Sequence, residues 1–190
     1  MMAAGKPSFA LPVLVLLLAA ASLAVAQVAS PPKAEVVAEL QALKRALRLR
    51  PKYALIRRVA STLLSRQDEF PESFDFSDVV NKTLLLPTNG AIVGAGVRKL
   101  PTNEDDGAQY EDLGLMNVLD GYLTIEDIKA GAILKTMHDD RILAVKETRG
   151  AVVALGQEGQ KRRQWSVVVD ANLFKGKFVV AHGVNRMQQP

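Results

Sequence analysis

The residues able to do chemistry are few, and their neighbours narrow the choice further. His138 and His182 are the only histidines, and cysteine is absent. That removes disulfides, zinc–thiolate sites, iron–sulfur clusters and cysteine nucleophiles together. No Gly-x-Ser-x-Gly elbow accompanies either histidine, so a serine hydrolase triad has no anchor. Gly94-Ala95-Gly96 lacks the Gly-Lys-Ser/Thr ending of a phosphate loop. Asn103-Glu104-Asp105-Asp106-Gly107 has calcium-loop composition, but aligning Gly107 as the loop glycine puts Leu113 where a carboxylate ligand is required. Two features remain. Asn81-Lys82-Thr83 is an N-glycosylation sequon. Lys161-Arg162-Arg163, followed by Trp165, combines guanidinium groups that pair with carboxylates and a ring face that could lie on a sugar. The competing account of that tetrad is a charged turn with Trp165 packed inward. His182 reads as a hydrogen-bonded core or interface residue, and His138 as a turn residue. No catalytic residue, metal or cofactor is expected.

The chain that positions these groups has 190 residues, 48% of them hydrophobic, 23% charged and 5% aromatic. It is long enough for a core without a metal or disulfide staple. The scarcity of aromatics argues against stacking platforms for single-stranded nucleic acid. Charge is segregated: residues 33–66 carry net +7, residues 67–127 net −10 and residues 128–190 net +6. The blocks compensate one another, which argues against a dedicated nucleic-acid binder.

The first residues read as an address. One lysine, Lys6, precedes an uncharged run with an apolar centre from Leu11 to Ala21, followed by Ala24-Val25-Ala26. This is the pattern of a signal peptide spanning residues 1–26, with cleavage between Ala26 and Gln27. The alternative is an uncleaved signal anchor, since the run is long enough to span a bilayer. Residues 27–33 form a short linker, and residues 34–190 form one domain without internal repeats. No stable membrane anchor is expected of the processed chain.

Val36, Val37, Leu40, Leu43 and Leu47 recur at helical spacing, predicting an amphipathic helix that ends near Pro51. Leu55, Ile56, Val59, Leu63 and Leu64 predict a second helix. Thr83–Leu86 reads as a buried strand stopped by Pro87. Thr88 or Asn89 then caps a helix through Ala91 to Leu100. Leu113–Leu119 reads as helical, and Thr124 caps a short helix over Ile125–Ala130 that Gly131 ends in a left-handed conformation. Strands follow at Ala132–Met137, Ile142–Thr148, Ala151–Leu155, Trp165–Val169 and Lys177–Asn185. Helices first and strands later predict an α+β fold.

Three segments carry a resemblance. Thr83-Leu-Leu-Leu-Pro-Thr-Asn-Gly-Ala-Ile92 is similar to the opening motif of the fasciclin domain. Val118 to Leu134, with Leu123-Thr124 and Lys129-Ala130-Gly131, resembles its middle segment. Val167 to Met187 resembles its closing pair of strands, with His182 at the family's histidine. All three occur in the family's order. The resemblance implies N-terminal helices packed on a small β-sandwich or wedge. It also implies a noncatalytic extracellular role in cell adhesion or in matrix or cell-wall organisation, through binding of polysaccharide or partner proteins. The lack of cysteine and the single domain look most like plant secreted members, which implies the apoplast and cell wall. Met116-Asn117 stands where the family often has an adhesion-linked Tyr-His pair, so that role is not carried over. A secreted hydrolase is the remaining alternative, disfavoured by the poverty of reactive side chains.

Overall fold

The computed structural model describes residues 32–58, 80–97, 116–129, 131–138, 142–148, 152–157, 159–161 and 164–188. The first element is α1, Lys33–Arg48, whose inward face is Val36, Leu40, Leu43 and Leu47, the expected apolar stripe. Arg45 and Arg48 in its last turn complement the negative end of the helix dipole. Pro51 opens a 3-10 turn, Pro51–Tyr53, and residues 54–58 continue helically. Val59, Leu63 and Leu64 of the second expected helix lie outside the described residues.

Seven strands follow: β1 Lys82–Pro87, β2 Val118–Asp120, β3 Ile133–Lys135, β4 Ile142–Thr148, β5 Val152–Gln157, β6 Ser166–Lys175 and β7 Val179–Val184. They form one sheet in the order β2-β1-β7-β6-β5-β4-β3. All neighbours are antiparallel except β1 and β7, which run parallel from Lys82↔Val179 to Pro87↔Val184. The sheet curls until its edges touch, through an antiparallel bridge between Leu119 and Thr136 and a hydrogen bond from the Met137 N–H to the Val118 carbonyl (2.9 Å). The fold is α+β: N-terminal helices on a curled, mixed sheet.

Strand alternation divides the core in two. Leu84, Leu86, Val118, Val179 and Ala181 face the helices and pack with Val36, Leu40, Leu43, Leu47, Tyr53 and Ile56. Leu85, Leu119, Leu134, Val153, Leu155, Val168 and Val184 point to the inner side, where Ile128 joins them. Because β1 and β7 are covered on both faces, their sequences are near-continuous apolar runs.

Three local expectations are corrected. The helix after Thr88 is only Asn89–Gly94, here α2; Thr88 Oγ1 accepts from the Ala91 N–H (3.3 Å), and Gly96 at φ +83° turns the chain away before Leu100. The end of the apolar run Leu113–Leu119 is strand β2 and not helix, because pairing with β1 in the register Leu84↔Val118 satisfies its backbone. Ile125–Ala130 is a single turn at residues 125–127, not a helix. Thr124 does initiate it: its N–H and its hydroxyl both donate to Asp127 Oδ2, at 2.9 and 2.6 Å. Gly131 takes the left-handed conformation expected of it, at φ +76°.

Close packing makes a direct prediction. A methyl added at Gly156 would lie within the indole of Trp165, whereas one added at Gly90 would meet nothing within 4 Å. Gly156→Ala should therefore lose about 1–3 kcal/mol in urea denaturation. Gly90→Ala should be neutral or slightly stabilising, by at most about 1 kcal/mol. Equal effects of the two would refute this packing.

Candidate functional site

Trp165 opens the strand β6 region and is 8% exposed. Its indole covers Gly156 on the neighbouring strand, and its Nε1–H donates to the Gln160 carbonyl at 3.1 Å. This fits the account in which Trp165 packs inward beneath a charged turn. Gly at 156 is what allows the ring so close. Lys161 is exposed, while Arg162 and Arg163 lie outside the described residues, as do Ala26 and Gln27 at the expected cleavage point.

Asn81 is exposed and precedes β1 in the left-handed region, at φ 59°. Its Oδ1 accepts from the Tyr122 N–H at 3.2 Å. Thr83, the sequon hydroxyl, is fully buried: Oγ1 donates to the Gly121 carbonyl (2.7 Å) and accepts from the Leu123 N–H (2.8 Å). Recognition of this sequon would thus belong to the chain before it folds. Met116 and Asn117 are fully buried. The Asn117 carboxamide pairs with the backbone of Gln188 in both directions, at 3.1 and 3.2 Å, and fastens the C-terminal segment.

The remaining polar residues of the closing motif form two clusters. In the first, Asp170 of β6 receives the Tyr53 hydroxyl and pairs with Lys52 (2.8 Å) and Arg50 (3.4 Å) from the turn after α1. Tyr53 is fully buried and fits over Gly183, where any Cβ would collide with its hydroxyl. Burial, reinforced by Asp170, pushes the Tyr53 hydroxyl well above the ordinary phenol range, so it stays a proton donor. Burial alone would raise the Asp170 carboxyl. Hydrogen bonds from Lys52 and Tyr53, with the charges of Lys52 and Arg50, outweigh it and hold the group below its ordinary value.

The second cluster centres on His182, fully buried on β7 opposite Leu85 of β1. Its Nδ1 accepts from the Asn172 N–H at 3.0 Å, and its Nε2 lies 2.9 Å from the Leu123 carbonyl, to which it donates. Asn172 sits at φ 47° in an irregular stretch of β6, between the pairs Asp170↔Gly183 and Phe174↔Ala181. Its Oδ1 accepts from the Ile125 N–H (2.9 Å), and its Nδ2 donates to both carboxylate oxygens of Glu126 (3.0 Å each). That bond from Asn172 comes first among the causes holding the Glu126 carboxyl at about 2. Burial keeps His182 below its ordinary value despite the nearby Glu126 carboxylate.

Neither cluster has the geometry of general acid–base or nucleophilic catalysis. His182 offers both ring nitrogens to backbone, and among the described residues no serine or threonine hydroxyl hydrogen-bonds to it. Among the described residues, no group of three or more histidines and carboxylates is placed to hold a metal ion. His138 is buried within a bend, more enclosed than a turn residue would be. Sequence reasoning missed Glu39 on α1 altogether. Its carboxylate accepts from the Lys177, Phe178 and Val179 N–H groups, at 2.8, 3.0 and 2.7 Å, and binds the helix to the β6–β7 turn. A glutamate on the border of the apolar stripe was the available signal.

No family model matches the chain, and no curated protein matches it. Among solved structures, a FAS1 domain pair from the insect cell adhesion molecule fasciclin I aligns with 78% of this chain at 14% identity, with a TM-score of 0.43. The chain spans 44% of that structure's length.

The Asp170 cluster predicts an order of variants. Asp170→Ala strands the buried Tyr53 hydroxyl and should cost about 1–3 kcal/mol, and Asp170→Asn, which keeps an acceptor, should cost less. Because the folded carboxyl is depressed, its contribution is present above the unfolded value, about pH 4, and is lost as pH falls through the folded one. The gap between wild type and Asp170→Asn in urea titrations should therefore close in acid. A gap that widens below pH 4 would contradict the assignment.

Proposed function

We propose that this chain is a secreted, noncatalytic fasciclin-like domain, resembling the plant secreted members, that acts in adhesion or in matrix or cell-wall organisation by binding acidic polysaccharide or partner proteins. One observation carries the reading. The three segments that resemble the family, far apart in sequence, lie side by side as β2, β1, β7 and β6. Their polar side chains then serve each other: Thr83 holds the turn after β2, and His182 and Asn172 hold the same turn from the other side. A motif whose polar groups are committed to internal hydrogen bonds leaves recognition to the surface.

The surface offers a basic ridge at the end of α1, where Arg45 and Arg48 are exposed and Lys44 is half-buried, beside Leu49, which is 89% exposed. Lys161 with Arg162 and Arg163 is the second basic candidate. Among the described residues no helix is long and apolar enough to cross a membrane. Export by a leader ending at Ala26 and a glycan at Asn81 complete the proposal.

Purified secreted protein should bind polygalacturonate, lose that binding in high salt and ignore neutral glucans. Replacing Lys44, Arg45 and Arg48 by Ala should weaken binding roughly tenfold, as expected for a few exposed ion pairs. The Lys161, Arg162 and Arg163 triple variant tests the other surface in parallel. Failure to bind any matrix polysaccharide or extracellular protein, or turnover of a glycoside or ester, would overturn the reading. Intact-mass analysis of the exported chain should find Gln27 at the N-terminus and a mass that falls on N-glycosidase treatment. An intact leader, or no mass change, would remove those two parts.

A further inference from the structure

The His182 cluster has a property that a purely structural buried histidine need not have. One ring holds the turn after β2 in two ways: directly, through its bond to the Leu123 carbonyl, and through Asn172, whose carboxamide holds Ile125 and Glu126. The bond from Asn172 requires an Nδ1 without hydrogen and the bond to Leu123 a hydrogen on Nε2, so together they fix the neutral Nε2–H tautomer, and only the first is lost when the ring takes up a proton. A proton on Nδ1 would face the Asn172 N–H with another N–H, turning the bond into a repulsion inside a buried site. The charged groups around the ring are Glu126 and Asp127 on the turn, Lys175 at the end of β6, and Asp170 two residues before Asn172, which is held by Lys52 and Arg50. Of these, Glu126 favours the proton, while Lys175 opposes it, as burial does.

We propose that His182 is an acid-sensitive latch: protonation at Nδ1 breaks its bond to Asn172 and so loosens the hold of Asn172 on Ile125 and Glu126, while the bond to Leu123 and the β1–β7 pairing persist. The turn carries Leu123, Ile125 and Ile128, which pack on the inner core cluster of Leu85, Leu119 and Leu134. Loosening the turn at Ile125 therefore weakens that residue's contact with the inner core. The sign follows from linkage. The folded ring binds its proton less readily than the released ring, so the latch is closed above about pH 6.5 and opens progressively below it.

Amide exchange by NMR, corrected for intrinsic rates, tests this on the full secreted chain between pH 7.5 and 5.5. Protection of the Asn172 and Ile125 amides should fall about tenfold, as expected for one proton taken up on opening, while Leu85 and Val180 keep theirs. In His182→Asn, whose Oδ1 can accept in place of Nδ1 and does not titrate, protection should be independent of pH. If that variant fails to fold, ring 15N shifts of the wild-type protein report the same event. They should show the Nε2–H tautomer at pH 7.5 and a protonation midpoint coinciding with the loss of Asn172 protection. Unchanged protection at Asn172 and Ile125, an equal fall in His182→Asn, a uniform loss across β1 and β7, or an Nδ1–H tautomer would each overturn the latch.

Discussion

Pairing β7 in parallel with β1 is the constraint from which most of the structure follows. It places two strands in the interior of the sheet, between β2 and β6, covered by helices on one side and by the curl of the sheet on the other. A backbone in that position must find every hydrogen-bond partner within the protein. The buried side chains of both strands are apolar, apart from Thr83 and His182. Those two are fully buried on the inner side, and each is satisfied by the backbone of the turn after β2. The turn is therefore placed by the polar atoms that the interior pair could not leave unpaired.

Carboxylates make the corresponding attachments on the outside. Glu39 joins α1 to the β6–β7 turn, Asp170 joins the Arg50–Tyr53 segment to β6, and Asp127 closes the turn that Thr124 begins. In each case an acid accepts N–H or O–H groups, and the bonds are charge-assisted. A chain with no cysteine has no covalent staple, and these tethers fix how its layers lie on one another.

This arrangement also explains how a sequence can carry recognisable motifs and few reactive groups. The residues that make the closing segment distinctive, Asp170, Asn172 and His182, orient loops and helices through hydrogen bonds. Met116 and Asn117 behave the same way: one is buried, the other clamps the C-terminal segment.

Much of this was written into the order of residue types. The spacing of Val36, Leu40, Leu43 and Leu47 dictated α1 and its buried face, and glycine at 131 marked a left-handed turn because only a residue without Cβ takes that conformation cheaply. The apolar runs at Thr83–Leu86 and Lys177–Asn185 announced strands, found at Lys82–Pro87 and Val179–Val184. Pattern alone failed where partners lay far away along the chain. The run before Leu119 scans equally well as helix or strand, and only the neighbouring β1 decided for strand. For Trp165 the sequence favoured inward packing over a ligand platform but could not name the partner, which is Gly156 on the adjacent strand. Glu39 looks like any surface glutamate until three N–H groups from the β6–β7 turn meet it. Periodicity is a local property and can be read from neighbours in sequence; pairing, burial and hydrogen-bond satisfaction depend on neighbours in space, which only the folded chain brings together.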